Sequence, residues 1–188
     1  MVHREYDAHG IGVVAPGEAL AALGEACALT RRLWTEREPF DFDGRHYRLT
    51  GAICEPKPAQ RPGPPIMIGS GGARTGLRIV AEHADIWASP PFTSQDFRRL
   101  NALLDAHCDA IGRDPAEITR SAQVFFTATE PADDAARFPG PAGAREQIAE
   151  YVEAGARHIV LAPIGASSMR WVADEIIRPA AVPAHLRS

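Results

Sequence analysis

From residue 66 onward the apolar positions alternate between two kinds of run. Ile66-Met67-Ile68, 85–89 (DIWAS), 121–128 (SAQVFFTA) and 158–162 (HIVLA) are short and show little polar alternation. That is the pattern of strands covered on both faces. Between and after them, residues 74–83, 94–111, 141–154 and 167–177 read as helices. In the second of these, Phe97, Leu100, Leu104, Cys108 and Ile111 share one face, and Pro141 stands near the start of the third. Strand followed by helix, four times over, predicts a parallel sheet covered by helices. Upstream, residues 18–35 place Leu20, Leu23, Cys27 and Trp34 at helical spacing, with acids early and arginines late. Asp43-Gly44 lies between two β-prone arms and predicts a hairpin. Residues 51–65 are rich in proline and glycine and read as an irregular excursion.

Four strands make either a small open sheet or half of an eight-stranded barrel, which takes about 250 residues when complete. The chain has 188 residues, 45% hydrophobic and 23% charged, the balance of a globular domain. Its net charge of −4 excludes a general polyphosphate-binding surface, so a nucleic-acid partner is not expected. No apolar run approaches the roughly 18 residues of a membrane span, and the opening MVHREYDAHG is too charged for a signal peptide. A cytoplasmic location is the resulting expectation. Cys27, Cys54 and Cys108 are odd in number and widely spaced, which predicts reduced, mostly buried thiols.

The segment most informative about chemistry is 66–76, IMIGSGGARTG. Gly69, Gly71 and Gly72 follow a strand and precede a helix, where small residues let backbone amides approach an anion and the helix start adds partial positive charge. Ser70 and Thr75 could donate hydroxyl hydrogen bonds and Arg74 a charge-assisted one. The alternative is a tight turn that needs glycine only for its dihedral angles. The segment is not a dinucleotide fingerprint, because GxGxxG counted from Gly69 would need glycine where Arg74 stands, and no Gly-Lys-Ser/Thr of a P-loop follows.

Other chemistry finds little support. The seven histidines show no metal-ligand spacing and no HExxH. His46 reads as a surface residue of the hairpin, while His83 and His158 adjoin strand starts, the end of a barrel that supports stability. Ser121 stands in no nucleophile motif, and Asp133-Asp134 reads as a solvated turn.

Several stretches together resemble the luciferase-like flavin and deazaflavin oxidoreductases: HREYDAHGI, LWTEREPFDFDGRHYRL, CEPKPAQRPGPPIMIGSGGARTGLRIVAEHAD and GRDPAEI. They are most similar to the branch that uses the deazaflavin coenzyme F420. The resemblance implies a (β/α) barrel in which the loop after the fifth strand and the following helix start hold the cofactor phosphate. Residue by residue, this falls on Gly69, Ser70, Gly71, Gly72, Arg74 and Thr75. It implies F420 as cofactor, with FMN as the alternative, a small organic substrate, and hydride transfer or monooxygenation. Residues 36–64 would be the family's excursion before the fifth strand.

HREYDAHGI resembles the segment after the family's fourth strand. The implied reading is therefore the C-terminal half of a barrel, without the first four strands and without the family's acid–base histidine, so no catalytic residue is assigned. Trp87 and Phe92 could line a ring or substrate pocket or simply pack. A half barrel has two parallel edges and an uncovered inner face. Self-association, a separate N-terminal partner or poor solubility is expected. Two rival readings remain: a non-catalytic phosphate-binding half barrel or subunit, and a small open α/β domain whose strand order reverses at a switch point.

Overall fold

The computed structural model describes residues 5–6, 8–90, 93–128 and 138–174. Helix α1 (Pro16–Thr35) opens with proline at its first position and carries Glu18 early and Arg32 late, as charge complementarity to the helix ends favours. The hairpin follows as β1 (Phe40–Asp43) and β2 (Arg48–Ala52), paired antiparallel with Asp43 opposite Arg48. Its loop is four residues long, 44–47, closed by Gly44 N–H donating to the Tyr47 carbonyl at 2.9 Å.

The remaining elements alternate: β3 (Met67–Gly69), α2 (Thr75–His83), β4 (Ile86–Ala88), α3 (Ser94–Ala110), β5 (Thr119–Thr127), α4 (Pro141–Glu153), β6 (His158–Ile164) and α5 (Ala166–Val172). All four strands of the main sheet run parallel, in the order β3-β4-β5-β6. That sequential order is the order of barrel strands. It rules out the open doubly wound alternative, which needs a reversal. The strands expected at 121–128 and 158–162 are longer than their apolar runs. β5 starts at Thr119 because its first residues pair with β4, with Ile86 opposite Thr119. β6 continues through Pro163 to Ile164; it is the outer strand of this sheet, where a proline's missing donor is tolerated.

One face of the sheet is closed. Ile68, Trp87, Ala122, Val124 and Phe126 are buried together with Leu77 and Val80 of α2, Phe97, Leu100 and Leu104 of α3, and Tyr151 of α4. Trp87 stacks on Phe97 at a centroid distance of 5.2 Å, and Phe97 meets Tyr151 edge to face at 5.5 Å. The other face is open. Strand register sets Met67, Ile86 and Thr119 on it, followed by Gly69, Ala88, Ser121 and His158. Met67, Val160 and Ile164 of this face are 48%, 37% and 42% exposed. Phe138 stacks on Phe125 of this face at a centroid distance of 5.8 Å, and the rest is largely uncovered among the described residues.

Polar anchors hold the peripheral parts. The Glu25 carboxylate of α1 accepts the backbone N–H groups of Arg45, His46 and Tyr47 at 3.0, 2.8 and 3.2 Å. These bonds, with that from His46 first, hold its pKa below the ordinary glutamate value. Lys57 reaches back from the excursion to the carbonyls of Leu33 and Cys54. Asp85 accepts from the Arg31 guanidinium and from Ile66 N–H, both at 2.6 Å, and so ties α1 to the entry of β3. His46 departs from the surface position expected of it: its side chain is only 20% exposed, with Nε2 buried 3.6 Å from Glu18. The cause is the Glu25 anchor, which draws the hairpin loop onto α1. Cys27 and Cys108 are buried free thiols and Cys54 is half-buried; burial pushes the Cys27 and Cys108 thiols up.

Candidate functional site: the bend after β3

β3 ends at Gly69, and the chain passes through Ser70, Gly71 and Gly72 into α2 at Thr75. This is the C-terminal end of a parallel strand, the end at which barrel enzymes build their sites. The bend is fixed from within. Trp87, fully buried on the neighbouring strand β4, donates its indole N–H to the Ser70 carbonyl at 2.8 Å. Gly72 N–H donates to Ser70 Oγ at 3.3 Å, and the Gly72 carbonyl accepts from Leu77 N–H at 2.9 Å. His107 of α3 holds the Ala73 carbonyl through Nε2 at 2.9 Å.

The start of α2 is only partly satisfied. Its flanking residue Arg74 has a non-helical backbone and no side chain caps the helix; Leu77 N–H goes to the Gly72 carbonyl, and the Thr75 and Gly76 amides have no partner inside the helix. Glycine is required at Gly76, while at Gly72 a Cβ would make ordinary contact and narrow the approach to the helix start. A Cβ on Gly72 would stand 3.7 Å from Gly76 N, over a first-turn amide, and a Cβ on Gly76 would lie 2.0 Å from Ser70 Oγ. Ser70 therefore sits against the helix start, and since its oxygen already accepts from Gly72 its own proton remains available to donate. Arg74, Thr75 and Gly72 are exposed, and Ser70 and Gly71 are half-buried. No acidic residue occurs between Gly69 and Thr75. The arrangement suits a small anion: amides and a hydroxyl at its centre, a guanidinium at its rim.

The six residues named from the sequence are thus contiguous around one helix start. Trp87, considered there as a pocket wall, faces the closed core and supports the bend through its indole N–H; Phe92 and Asp133-Asp134 lie outside the described residues. Three contributors went unnoticed in the sequence: Trp87 as a hydrogen-bond donor, His107, and Gly76 as the glycine that makes room for Ser70. Gly76 was legible as the last glycine of the motif. The other two act from 17 and 34 residues away and leave no local signal.

On the open face, Ser121 Oγ and His158 Nδ1 are hydrogen-bonded at 2.8 Å, a pairing that follows from their cross-strand register. Ser121 is buried and His158 begins its strand; the pair lies in the same cross-strand row as Ala88 and Gly69, two and three strands across from the bend. Among the described residues no three His, Cys, Asp or Glu side chains gather as metal ligands, and no helix is long and apolar enough to cross a membrane.

Comparisons with known proteins place the fold and the family. An uncharacterized protein of Mycobacterium tuberculosis (strain H37Rv) is 32% identical over 101 residues, 54% of this chain and 35% of its own length. The coenzyme F420-dependent tetrahydromethanopterin reductase of Methanopyrus kandleri superimposes with a TM-score of 0.71 at 16% identity, covering 90% of this chain and 65% of its own. A riboflavin lyase, solved with modified FMN and riboflavin, gives 0.73 at 13% identity, covering 93% of this chain and 60% of its own. The solved neighbours are TIM barrels, of which this chain supplies a four-stranded part. It spans about a third of the mycobacterial relative and about 60% of these two structures. The sequence model of the luciferase-like monooxygenases matches residues 3–138, most of the chain, and the chain belongs to that family.

Proposed function

We propose that this chain carries the phosphate-gripping part of a luciferase-like oxidoreductase that uses the reduced deazaflavin F420, with FMN as the alternative cofactor. The observation that carries this reading is the bend of Gly69, Ser70, Gly71 and Gly72, free of bulky side chains and closing onto an uncapped helix start at the C-terminal end of β3. The lack of a side chain at Gly72 leaves the approach to the Gly76 amide open, which suits a compact anion. Ser70 and the amides of the bend would hold the phosphate, Arg74 would neutralise it, and Thr75 would add a hydroxyl. When bound, a reduced cofactor of this class supplies the electron pair for hydride transfer, or for oxygen activation with a flavin. The bend's part is to fix the anionic end and thereby orient the rest of the cofactor along the sheet.

A fluorescence titration of the chain with F420 and with FMN tests this. Saturable binding is expected, and Arg74→Ala should weaken it by about 1–3 kcal/mol, the scale of a charge-assisted hydrogen bond. An unchanged titration curve in that variant would remove Arg74 from the site. The open inner face favours a second reading, a phosphate-binding half that turns over only with further strands from a partner. Cofactor binding without any substrate-dependent oxidation would support it.

A further inference from the structure

The end of α1 and the excursion that follows the hairpin enclose a small pocket of about 210 Å³, lined by Trp34, Thr35, Arg37, Lys57, Arg61 and Pro62. These residues precede β3, whereas the bend follows it. Three of the six lining side chains are cationic and none is acidic, on a chain whose net charge is −4. Glu55, outside the lining, reaches Lys57 at 3.5 Å. Arg61 leans on carbonyls of its own loop, those of Pro58 and Gln60, and Arg37 has no hydrogen-bond or ion-pair partner among the described residues. Two guanidiniums therefore stand at the pocket without a carboxylate.

The walls are braced from behind. Lys57 Nζ donates to the Leu33 carbonyl at 3.1 Å and to the Cys54 carbonyl at 2.8 Å, which clamps the excursion onto α1. The excursion's backbone packs directly on the indole: a Cβ on the buried Gly63 would stand 2.5 Å from Trp34 Cε3. Thr35 Oγ1 donates to the Arg31 carbonyl at 2.8 Å, so recognition falls to the cations and the ring. A pocket held in this way gives up little order when it is filled.

We propose that it binds a small aromatic carboxylate. A bare inorganic oxyanion would answer the guanidiniums and leave the indole and the Pro62 ring unused, and a neutral ring would leave the guanidiniums unanswered. A guanidinium matches a carboxylate with two parallel hydrogen bonds, and the indole offers an aromatic partner a stacked or edge-on contact. The volume lies below the roughly 300 Å³ at which ordinary ligand pockets begin, which admits one ring with its carboxylate and excludes a nucleotide or the redox cofactor. The site is separate from the bend, and its occupancy does not depend on the function proposed above.

The test follows the indole N–H resonances of the full chain, with the signal of Trp34 identified by its loss in Trp34→Phe. Benzoate is the probe, and acetate, benzamide and sulfate are the controls. Benzoate should shift the Trp34 signal saturably, with a Kd about tenfold or more below that of each control. Arg37→Gln should weaken benzoate about fivefold, the effect of one exposed charge pair, and added salt should weaken it further in the wild-type chain. A Trp34 signal unmoved by benzoate overturns the proposal. So does sulfate or acetate binding as tightly as benzoate, which would mark a general anion patch, and so does benzamide matching it, which would mark an apolar one. Should Arg37→Gln fail to fold, Arg61→Gln and the salt dependence decide, and benzoate affinity indifferent to both overturns it.

Discussion

At the scale of single residues, the bend depends on contacts that one atom can disturb. A Cβ on Gly76 would meet Ser70 Oγ at 2.0 Å, so Gly76→Ala must drive Ser70 from its rotamer and break the bond from Gly72. The hydroxyl itself moves cheaply, so the cost is mainly that lost hydrogen bond, about 0.5–1.5 kcal/mol. In urea denaturation Gly76→Ala should lose stability, and Ser70→Ala should recover part of it in that background although it removes a contact from the wild-type chain. Additive losses in the double variant would show that the two residues do not meet. Trp87 offers a complementary case: Trp87→Phe keeps a ring against Phe97 but deletes the donor to the Ser70 carbonyl. Cofactor affinity should fall in this variant by more than its loss of stability accounts for, as expected of a residue that positions the bend.

Among the elements, the hairpin is fastened to α1 by Glu25, by Glu18 with Arg45 at 2.7 Å, and by Arg32, which donates to the Asp41 carbonyl at 3.1 Å. Glu25 accepts three loop amides, and its lowered pKa means that the charged form is bound more strongly in the folded chain than in the unfolded one. Its contribution is therefore complete above the ordinary glutamate range and fades as pH falls through the lowered value. Limited proteolysis at the 44–47 loop should be slow at neutral pH and faster in acid, whereas Glu25→Gln should be cleaved faster than wild type at neutral pH and depend less on pH, with Glu18 still holding Arg45. Cleavage of Glu25→Gln as slow as that of the wild-type chain at neutral pH would contradict this anchor. The same region shows where local sequence ran out. Asp43-Gly44 announced a hairpin, and β1 and β2 flank that position, but the four-residue loop and the half-buried His46 are set by Glu25, some twenty residues away in sequence. By contrast α1, α2, α3 and α4 lie within two residues of their periodic runs, because burial of a helical stripe is written locally. The glycine-rich bend was legible for the same reason: its function needs small residues in succession. Its supports, Trp87 and His107, come from other elements, and contacts of that kind have no sequence period.

For the molecule as a whole, the decisive feature is a sheet whose second face, among the described residues, is largely uncovered. Met67, Val160 and Ile164 stand exposed on the face opposite the helices, and β3 and β6 are its outer strands. Exposed apolar surface and unpaired parallel edges favour association. Sedimentation of the 188-residue chain should reveal self-association that weakens when Val160 and Ile164 are both replaced by threonine; a monodisperse, cooperatively unfolding monomer would contradict the open face. Chain order made this architecture readable early, since four strand–helix repeats leave few parallel arrangements, and the sequential order β3-β4-β5-β6 selected the barrel type.

The claim on which the functional account turns is that the amides between Gly69 and Gly76 bind the phosphate of a deazaflavin or flavin. Amide chemical shifts of the isotopically labelled chain, followed as F420 is added, test it most directly. Saturable shifts concentrated at Ser70, Gly71, Gly72 and Thr75, reduced in Arg74→Ala, are the predicted result. Shifts elsewhere with that bend unmoved, or no shifts at saturating cofactor, would contradict it.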